Sequence, residues 1–477
     1  MTRRSIIFYL HILVIVTVLS SCNITHQGLK IREQKLPNRY AVIQSDTSSS
    51  AKLNWKNYFT DTLLHQLIDT ALFCNQDLQI AFQRIESARA IVLSSRGPLV
   101  PTVNVNLSAS QRKFGYYTMD DAGNRVTEFK PGDTIPTHLP DYFVGLTSSW
   151  ELDIWGKLKN MRKAAVSNYL AGQEGRNFLL SILVAEIASS YFDLLAFDQE
   201  LDIIRQTILK QQESLDVVQL QKESGRSNEL AVQQFEAQLI QTKIIEKEII
   251  QKIIQAENRI NLLIGRFPQP ITRDKNNFYS IMPDNTTAGV PSQLLTNRPD
   301  IREAEMRLLA TKFELNAAKA AFYPSFTITA GVGYQAFNPR FLFSTPRSIM
   351  YNALGGLVMP VINRRAIKAQ FNMAKSNQLS AMYQYQKSII YGFTEVATEL
   401  YNIEQLQQIS KLKREQNNIL NQSVETSIIL YRTARASYLE VLLVQQNSLQ
   451  AKLEMVEVER RRMNAGIKLY KALGGGW

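Results

Sequence analysis

Side chains able to do covalent, redox or acid–base chemistry are sparse in this sequence. There are four histidines, His11, His26, His65 and His138, and two cysteines, Cys22 and Cys74. They form no His/Cys cluster of the kind that binds metal, and there is neither a Gly-rich phosphate loop nor a Gly-x-Ser-x-Gly elbow. The carboxylates are scattered as solvated charge, and the one close pair considered for acid–base work is Glu151 with Asp153. Two cysteines exclude a disulfide-built scaffold, and Cys74, beside Leu72 and Phe73, is expected to be packed on a helix as a bystander. The 54 Lys and Arg exceed the 42 Asp and Glu by a formal charge of +12 without forming a basic block, so no nucleic-acid tail is implied. These features argue against an enzyme, a metal centre or a bound cofactor.

The cysteine nearest the start stands in an informative context. Arg3 and Arg4 precede Ile6 to Leu19, apolar except for His11 and Thr17, and Ser20 and Ser21 lead into Cys22. The run of about 14 residues is short of the roughly 20 that a membrane helix needs, so residues 1–21 read as a secretion signal rather than a span. Leu19-Ser20-Ser21-Cys22 resembles a lipobox, which implies that Cys22 is acylated and becomes the mature N-terminus. Asn23, in place of Asp, implies transfer to the outer membrane. Residues 22–60 then form a lipid-anchored N-terminal segment.

The rest of the chain is written twice, as repeat 1 over 61–265 and repeat 2 over 292–477, with a linker at 266–291. Leu99-Val100-Pro101 before one alternating stretch recurs as Phe322-Tyr323-Pro324 before another. Ser227 stands over Ser437, and both copies end in a helical run closed by glycine. Within each copy the pattern predicts helix, strand, return strand, long helix, tight turn and helix. Polar and apolar residues alternate over 102–110 and 325–335, with return strands at 142–152 and 349–359. The segment Lys113 to Leu139, with Gly123, Gly132, Pro131 and Pro136, reads as a loop. Strands of about 10 residues match a transmembrane β-strand, although a soluble hairpin with one buried face shows the same alternation. The secretion signal and the aromatic residues near the strand ends favour the membrane, and Glu151 and Asp153 then mark its edge.

Four strands cannot close a barrel, and an open sheet edge is not tolerated in lipid, so a membrane reading requires copies of the chain to complete the barrel. Gly156 to Ser224 and Arg364 to Leu430 lack proline and can each form one helix of about 67 residues, roughly 100 Å long. Flanking helices are expected at 61–96, 229–264, 293–322 and 437–473. The apolar pairs of the second, such as Ile244-Ile245 and Ile249-Ile250, give two seams, as in a ring of helices with wet inner and outer faces.

The residues that carry the repeat also resemble the TolC-like outer membrane factors, especially their lipoprotein branch. The resemblance rests on Asp77-Leu78 with Arg84 to Ala90, on Trp150-Glu151-Leu152-Asp153-Ile154-Trp155-Gly156-Lys157, and on Asn297-Arg298-Pro299-Asp300-Ile301-Arg302. It implies an α+β membrane protein, a homotrimer whose twelve strands form one barrel in the outer membrane, continued by a coiled-coil α-barrel closed at its far tip. It further implies a passive exit duct of a tripartite efflux pump, supplied by an inner membrane transporter through a periplasmic adaptor. A type I protein secretion duct and a periplasm-spanning structural lipoprotein are the alternatives. The gate and adaptor contact would lie at the two tight turns, on Gly225, Arg226, Ser227, Arg432, Arg435 and Ser437. Ser227 and Ser437 are expected to cap the returning helices. Ala231 and Leu443 stand where relatives often carry an acidic residue. Lys222, Arg226, Arg432 and Arg435 make the tip basic, so ion pairs to Glu223, Glu229 or Glu440 are the expected means of closure.

Overall fold

The computed structural model describes residues 37, 39, 40, 53–275, 278, 288–359, 364–433 and 435–477; Pro37 aside, these belong to one unit, Asn38–Trp477. The signal segment 1–21, Cys22 and most of the segment 22–60 lie outside them.

From residue 53 on, the first helices are α1 (Trp55–Tyr58), α2 (Thr62–Cys74) and α3 (Gln76–Ser94). The single helix expected over 61–96 is therefore broken, and the cause is Asn75. Its extended backbone (φ −64°, ψ 124°) stops α2, and its side chain accepts from Leu78 N–H at 3.0 Å to start α3. Its amide also donates to Leu263 O at 2.8 Å, fixing the break against a distant helix end. Cys74 is exposed at this joint rather than packed, because the helix face that meets the core carries Leu64, Ile68 and Ala71.

Strand β1 (Thr102–Lys113) follows, then α4 (Met119–Val126), the small hairpin β2 (Glu128–Lys130) and β3 (Asp133–Thr134), and β4 (His138–Leu152). The segment read as a plain loop thus has its own helix and hairpin. Thr118 caps α4, and Phe129 packs edge-on to Phe337 at 5.0 Å, tying this excursion to the corresponding loop of repeat 2. Both strands also run further outward than their alternation alone suggested.

Helix α5 (Lys157–Glu223) is continuous over 67 residues and turns into α6 (Glu229–Leu263). Repeat 2 supplies α7 (Leu294–Asn297), α8 (Pro299–Ala320), β5 (Ser325–Ala336), β6 (Ile349–Val358), α9 (Arg364–Arg432, 69 residues) and α10 (Tyr438–Ala472). The helix expected over 293–322 is broken at Arg298, which is extended (φ −85°, ψ 116°) before Pro299 at the first helical position.

The two breaks are equivalent. Asn75 donates to Leu263 O near the end of α6, and Arg298 donates to Ala472 O at 2.6 Å at the end of α10. The glycines closing those helices, Gly265 (φ 70°) and Gly474 (φ 95°), lie against Cys74 O and Asn297 O, where a Cβ would clash. Each short helix therefore stacks end-on against the returning helix of its own repeat. Together they run beside the long helix.

The middle of α5 is apolar enough to cross a membrane by length and composition, but most of it is buried. Ile187, Leu194, Leu195 and Ile204 are fully covered by α1, by the α6 face bearing Ile249, Ile253 and Ile260, and by α10. Tyr58 stacks on Tyr470 at 4.1 Å, and the Tyr191 hydroxyl donates to Asp61 Oδ2 at 2.8 Å.

The strands form one antiparallel sheet in the order β1-β4-β5-β6, so β1 and β6 are free edges. The register pairs Asn104 with Thr147 and Thr147 with Gly331 on one face, and Val105 with Leu146 and Leu146 with Val332 on the other. One face is polar and small, the other aliphatic. That is the arrangement of a membrane barrel wall, with water on one side and lipid on the other. The polar face also carries Phe143, whose ring lies over the facing pair Gly145 and Gly333, and, on the edge strand β6, Met350, Leu354 and Val358.

Candidate functional site

At the foot of the sheet, each strand passes into its long helix through a built joint. Asp153 accepts from Leu158 N–H at 2.9 Å and Lys159 N–H at 2.8 Å, satisfying the free amides at the start of α5. Glu151 pairs with Lys157 at 2.5 Å. The two carboxylates considered for acid–base work are thus engaged in starting a helix. Trp155 stacks on Tyr323 at 4.7 Å and donates to Pro324 O at 2.8 Å, and Trp150 donates to Leu99 O at 3.2 Å. These rings belong at the membrane–water boundary, where an apolar body and a polar N–H are both satisfied.

At the opposite ends of α5 and α9 lie the two turns. In the first, Gly225 adopts a left-handed conformation (φ 62°), and Arg226 N–H and Ser227 N–H donate back to Gln221 O at 2.8 and 3.2 Å. The cap of α6 is Asn228, whose side chain accepts from Ala231 N–H at 2.9 Å, and not Ser227. Ser227 is half-buried and lies beside the Tyr431 hydroxyl at the end of α9, where the two turns meet. In the second turn Ser437 caps α10, and Glu440 reaches back to Ser437 N–H at 2.6 Å. Asn228, rather than Ser227, is therefore the counterpart of Ser437. Ala434 lies outside the described residues.

Between the turns, Leu215, Val218, Phe235, Leu239 and Val441 form a separate apolar knot that holds the two hairpins together. Of the basic residues at the tip, Lys222 pairs with Glu229, which raises the ammonium pKa and lowers that of the carboxyl. The Ser437 N–H and hydroxyl hold the Glu440 carboxyl below its usual range, and this engagement is a cap rather than a gate ion pair. Arg226, Arg432 and Arg435 are exposed and, among the described residues, have no carboxylate partner within the chain. The ion pairs expected for these three arginines are therefore not formed inside one chain. Tyr431 and Asn228 were missed by sequence reasoning: Asn is as good a cap as Ser, so a one-residue shift was invisible, and Tyr431 is singled out only by its contact across the turns.

A sheet with one lipid-compatible face and two free edges, set on helices of about 100 Å, defines a membrane channel-tunnel completed by copies of itself. The profile of the family described as "Outer membrane efflux protein" matches residues 67–266 and 290–475, and this chain belongs to that family. It is 30% identical over 449 residues to the cation efflux system protein CusC of Escherichia coli O6:H1, covering 93% of each chain. It is also 30% identical over 435 residues to the solvent efflux pump outer membrane protein SrpC of Pseudomonas putida, covering 88% of this chain and 87% of that one. Among solved structures, a membrane protein from Pseudomonas aeruginosa superposes with a TM-score of 0.81 at 26% identity, over 92% of this chain and 99% of that one. A CusC structure does so with 0.80 at 28% identity, over 94% and 100%. The protein is an outer membrane efflux channel, with four strands per chain in a trimeric twelve-stranded barrel continued by a coiled-coil α-barrel.

Proposed function

We propose that this chain is the passive exit duct of a tripartite pump, receiving small molecules from an inner membrane transporter through a periplasmic adaptor that docks at the two turns. Metal cations or organic solvents are the cargo class, because a cation efflux protein and a solvent efflux protein are both similar to it over nearly the whole chain. Transport energy comes from the inner membrane partner; the duct performs no reaction and binds no cofactor. Cys22 carries the lipid anchor. Gly225, Arg226, Ser227, Arg432, Arg435 and Ser437 form the gate and adaptor contact, with the three unpaired arginines free to meet acidic groups on neighbouring copies or on the adaptor.

The observation that carries this reading is the union in one chain of a two-faced sheet with free edges and helices long enough to cross much of the periplasm. The test is export in the native host. Deleting the chain should raise intracellular levels of a monovalent metal cation, a divalent metal cation or an organic solvent after a challenge, and re-expression should reverse it. Unchanged accumulation of all three would exclude this cargo class. For the tip, Arg435→Glu should weaken adaptor crosslinking and raise the conductance of the purified channel; no change in either would remove Arg435 from the contact.

A further inference from the structure

About two helical turns back from the tip, α5, α6, α9 and α10 enclose a cavity of about 600 Å³. Its apolar wall includes Val218, Phe235, Val441 and Leu449. Its polar wall is unusual. Gln211 is 2% exposed, and neither its amide nitrogen nor its amide oxygen has a hydrogen-bond partner. Gln445, 8% exposed, donates to Ser214 Oγ at 3.2 Å but leaves its own oxygen unpartnered. A buried amide left unsatisfied is costly, and a ligand group hydrogen-bonded to it would remove that cost.

The charges around the cavity are arranged unevenly. Lys210, Glu213, Glu425 and Arg432 line it but are exposed at its mouth, whereas Lys452 is half-buried inside. Burial, together with the like charge of Lys210, pushes the Lys452 ammonium pKa down. Among the described residues neither lysine is ion-paired, although ion pairs hold other parts of the same helices, such as Arg460 with Asp193. Two neighbouring ammonium groups, an unsatisfied buried amide and an aliphatic and aromatic wall are complementary to one kind of ligand: an anionic head on an apolar body. The volume lies within the range of small-molecule pockets.

We propose that this cavity is a binding site for an amphipathic organic anion, whose acidic oxygens meet Lys452, Lys210 and the Gln211 amide while its apolar body rests on Phe235 and Val218. The cavity reaches down to the tip, since Tyr431 and Arg432 are among its lining residues. Because its walls come from both hairpins, a bound ligand bridges them above the tip.

The test is calorimetric titration of the full-length trimer in lipid nanodiscs with 1-naphthalenesulfonate as probe and 1-naphthalenemethanol as its uncharged counterpart. The expected result is saturable sulfonate binding that weakens at least about tenfold in Lys452→Met and in Gln211→Leu, with the alcohol binding at least about tenfold more weakly than the sulfonate. Light scattering confirms that each variant is still trimeric. Absence of saturable sulfonate binding would overturn the proposal, whatever partner side chain then fills the cavity. So would equal binding by both variants and the wild type, or equal binding of the alcohol.

Discussion

Arg298 shows how one side chain can organise a joint between distant segments. It is 2% exposed, grips Asp300 with two nitrogens at 3.0 and 2.8 Å, reaches Glu395 at 2.8 Å on α9, and donates to Ala472 O at the end of α10. Lys471 also pairs with Glu395 at 3.0 Å. Gly392 leaves the room; a Cβ there would stand 3.0 Å from Arg298 Nε. Arg298→Met should therefore destabilise the chain by about 3 kcal/mol, since it strands the Asp300 carboxylate and leaves Glu395 with Lys471 alone, and Arg298→Lys should not rescue it because the fork cannot be reproduced. Scanning calorimetry of the nanodisc trimer at one fixed scan rate would read the loss. Glu200 makes the opposite case. Burial raises its pKa above the usual 4.5, Glu457 adds to this, and Lys252 and Arg460 oppose it. A carboxyl with a raised folded-state pKa favours the folded chain when protonated and penalises it once ionised, so its contribution is lost as pH rises through the folded value. Glu200→Gln should melt at a higher temperature than wild type at pH 7.5, with the difference closing as pH falls below 4.5. A constant difference at all pH values would show that ionisation is not the cause.

At the level of elements, the fold rests on how helices start and stop. Asp153 satisfies two amides at the head of α5, and Asp153→Ala should cost about 1 kcal/mol while leaving the sheet in place. Far-ultraviolet dichroism and calorimetry together separate these effects. The glycine stops are less tolerant. Gly474 is left-handed and abuts Asn297 O, so Gly474→Ala adds roughly 1–2 kcal/mol of backbone strain to a clash with main chain. Gly225 has the same backbone conformation with nothing within 4 Å of a built Cβ, so Gly225→Ala should cost only the strain. Comparing the two variants by calorimetry tests this ordering, and an equal loss would show that the Asn297 contact carries no weight.

At the scale of the whole molecule, the free strands β1 and β6 require neighbours. Each β1 residue from Thr102 to Lys113 is exposed in the single chain, as are Val103, Val105 and Leu107 on the aliphatic face. Leu107→Pro would remove an amide and disrupt the strand that must pair with another copy. Light scattering should find about three chains per particle for wild type, and a shift toward monomer for the proline variant. An unchanged trimer would place the assembly contact in the helices alone.

Much of this architecture was legible in the residues because its signals are local. Alternation located all four strands of the barrel sheet, and the absence of proline over 157–223 located the first long helix. The duplication was visible in the Pro101 and Pro324 strand starts, and the glycine at each repeat's end marked where a helix stops. Where the reading fell short, the deciding contact was remote. The break at Asn75 is fixed by a carbonyl 188 residues away, which no periodicity reports; that at Arg298 did have a local signal in Pro299, which the expected helix over 293–322 ran through, and a carbonyl 174 residues away only anchors it. The loop over 113–139 gained a helix and a hairpin because Phe129 has Phe337 and Phe341 to pack against. The sequence by itself determined where the four barrel strands and the two long helices lie, since these follow from the spacing of apolar side chains and the absence of proline. Tertiary structure alone decided that the apolar middle of α5 is a core and not a membrane span, that Asn228 is the cap, and that Gln211 and Lys452 share one cavity, because each depends on what distant helices bring within reach.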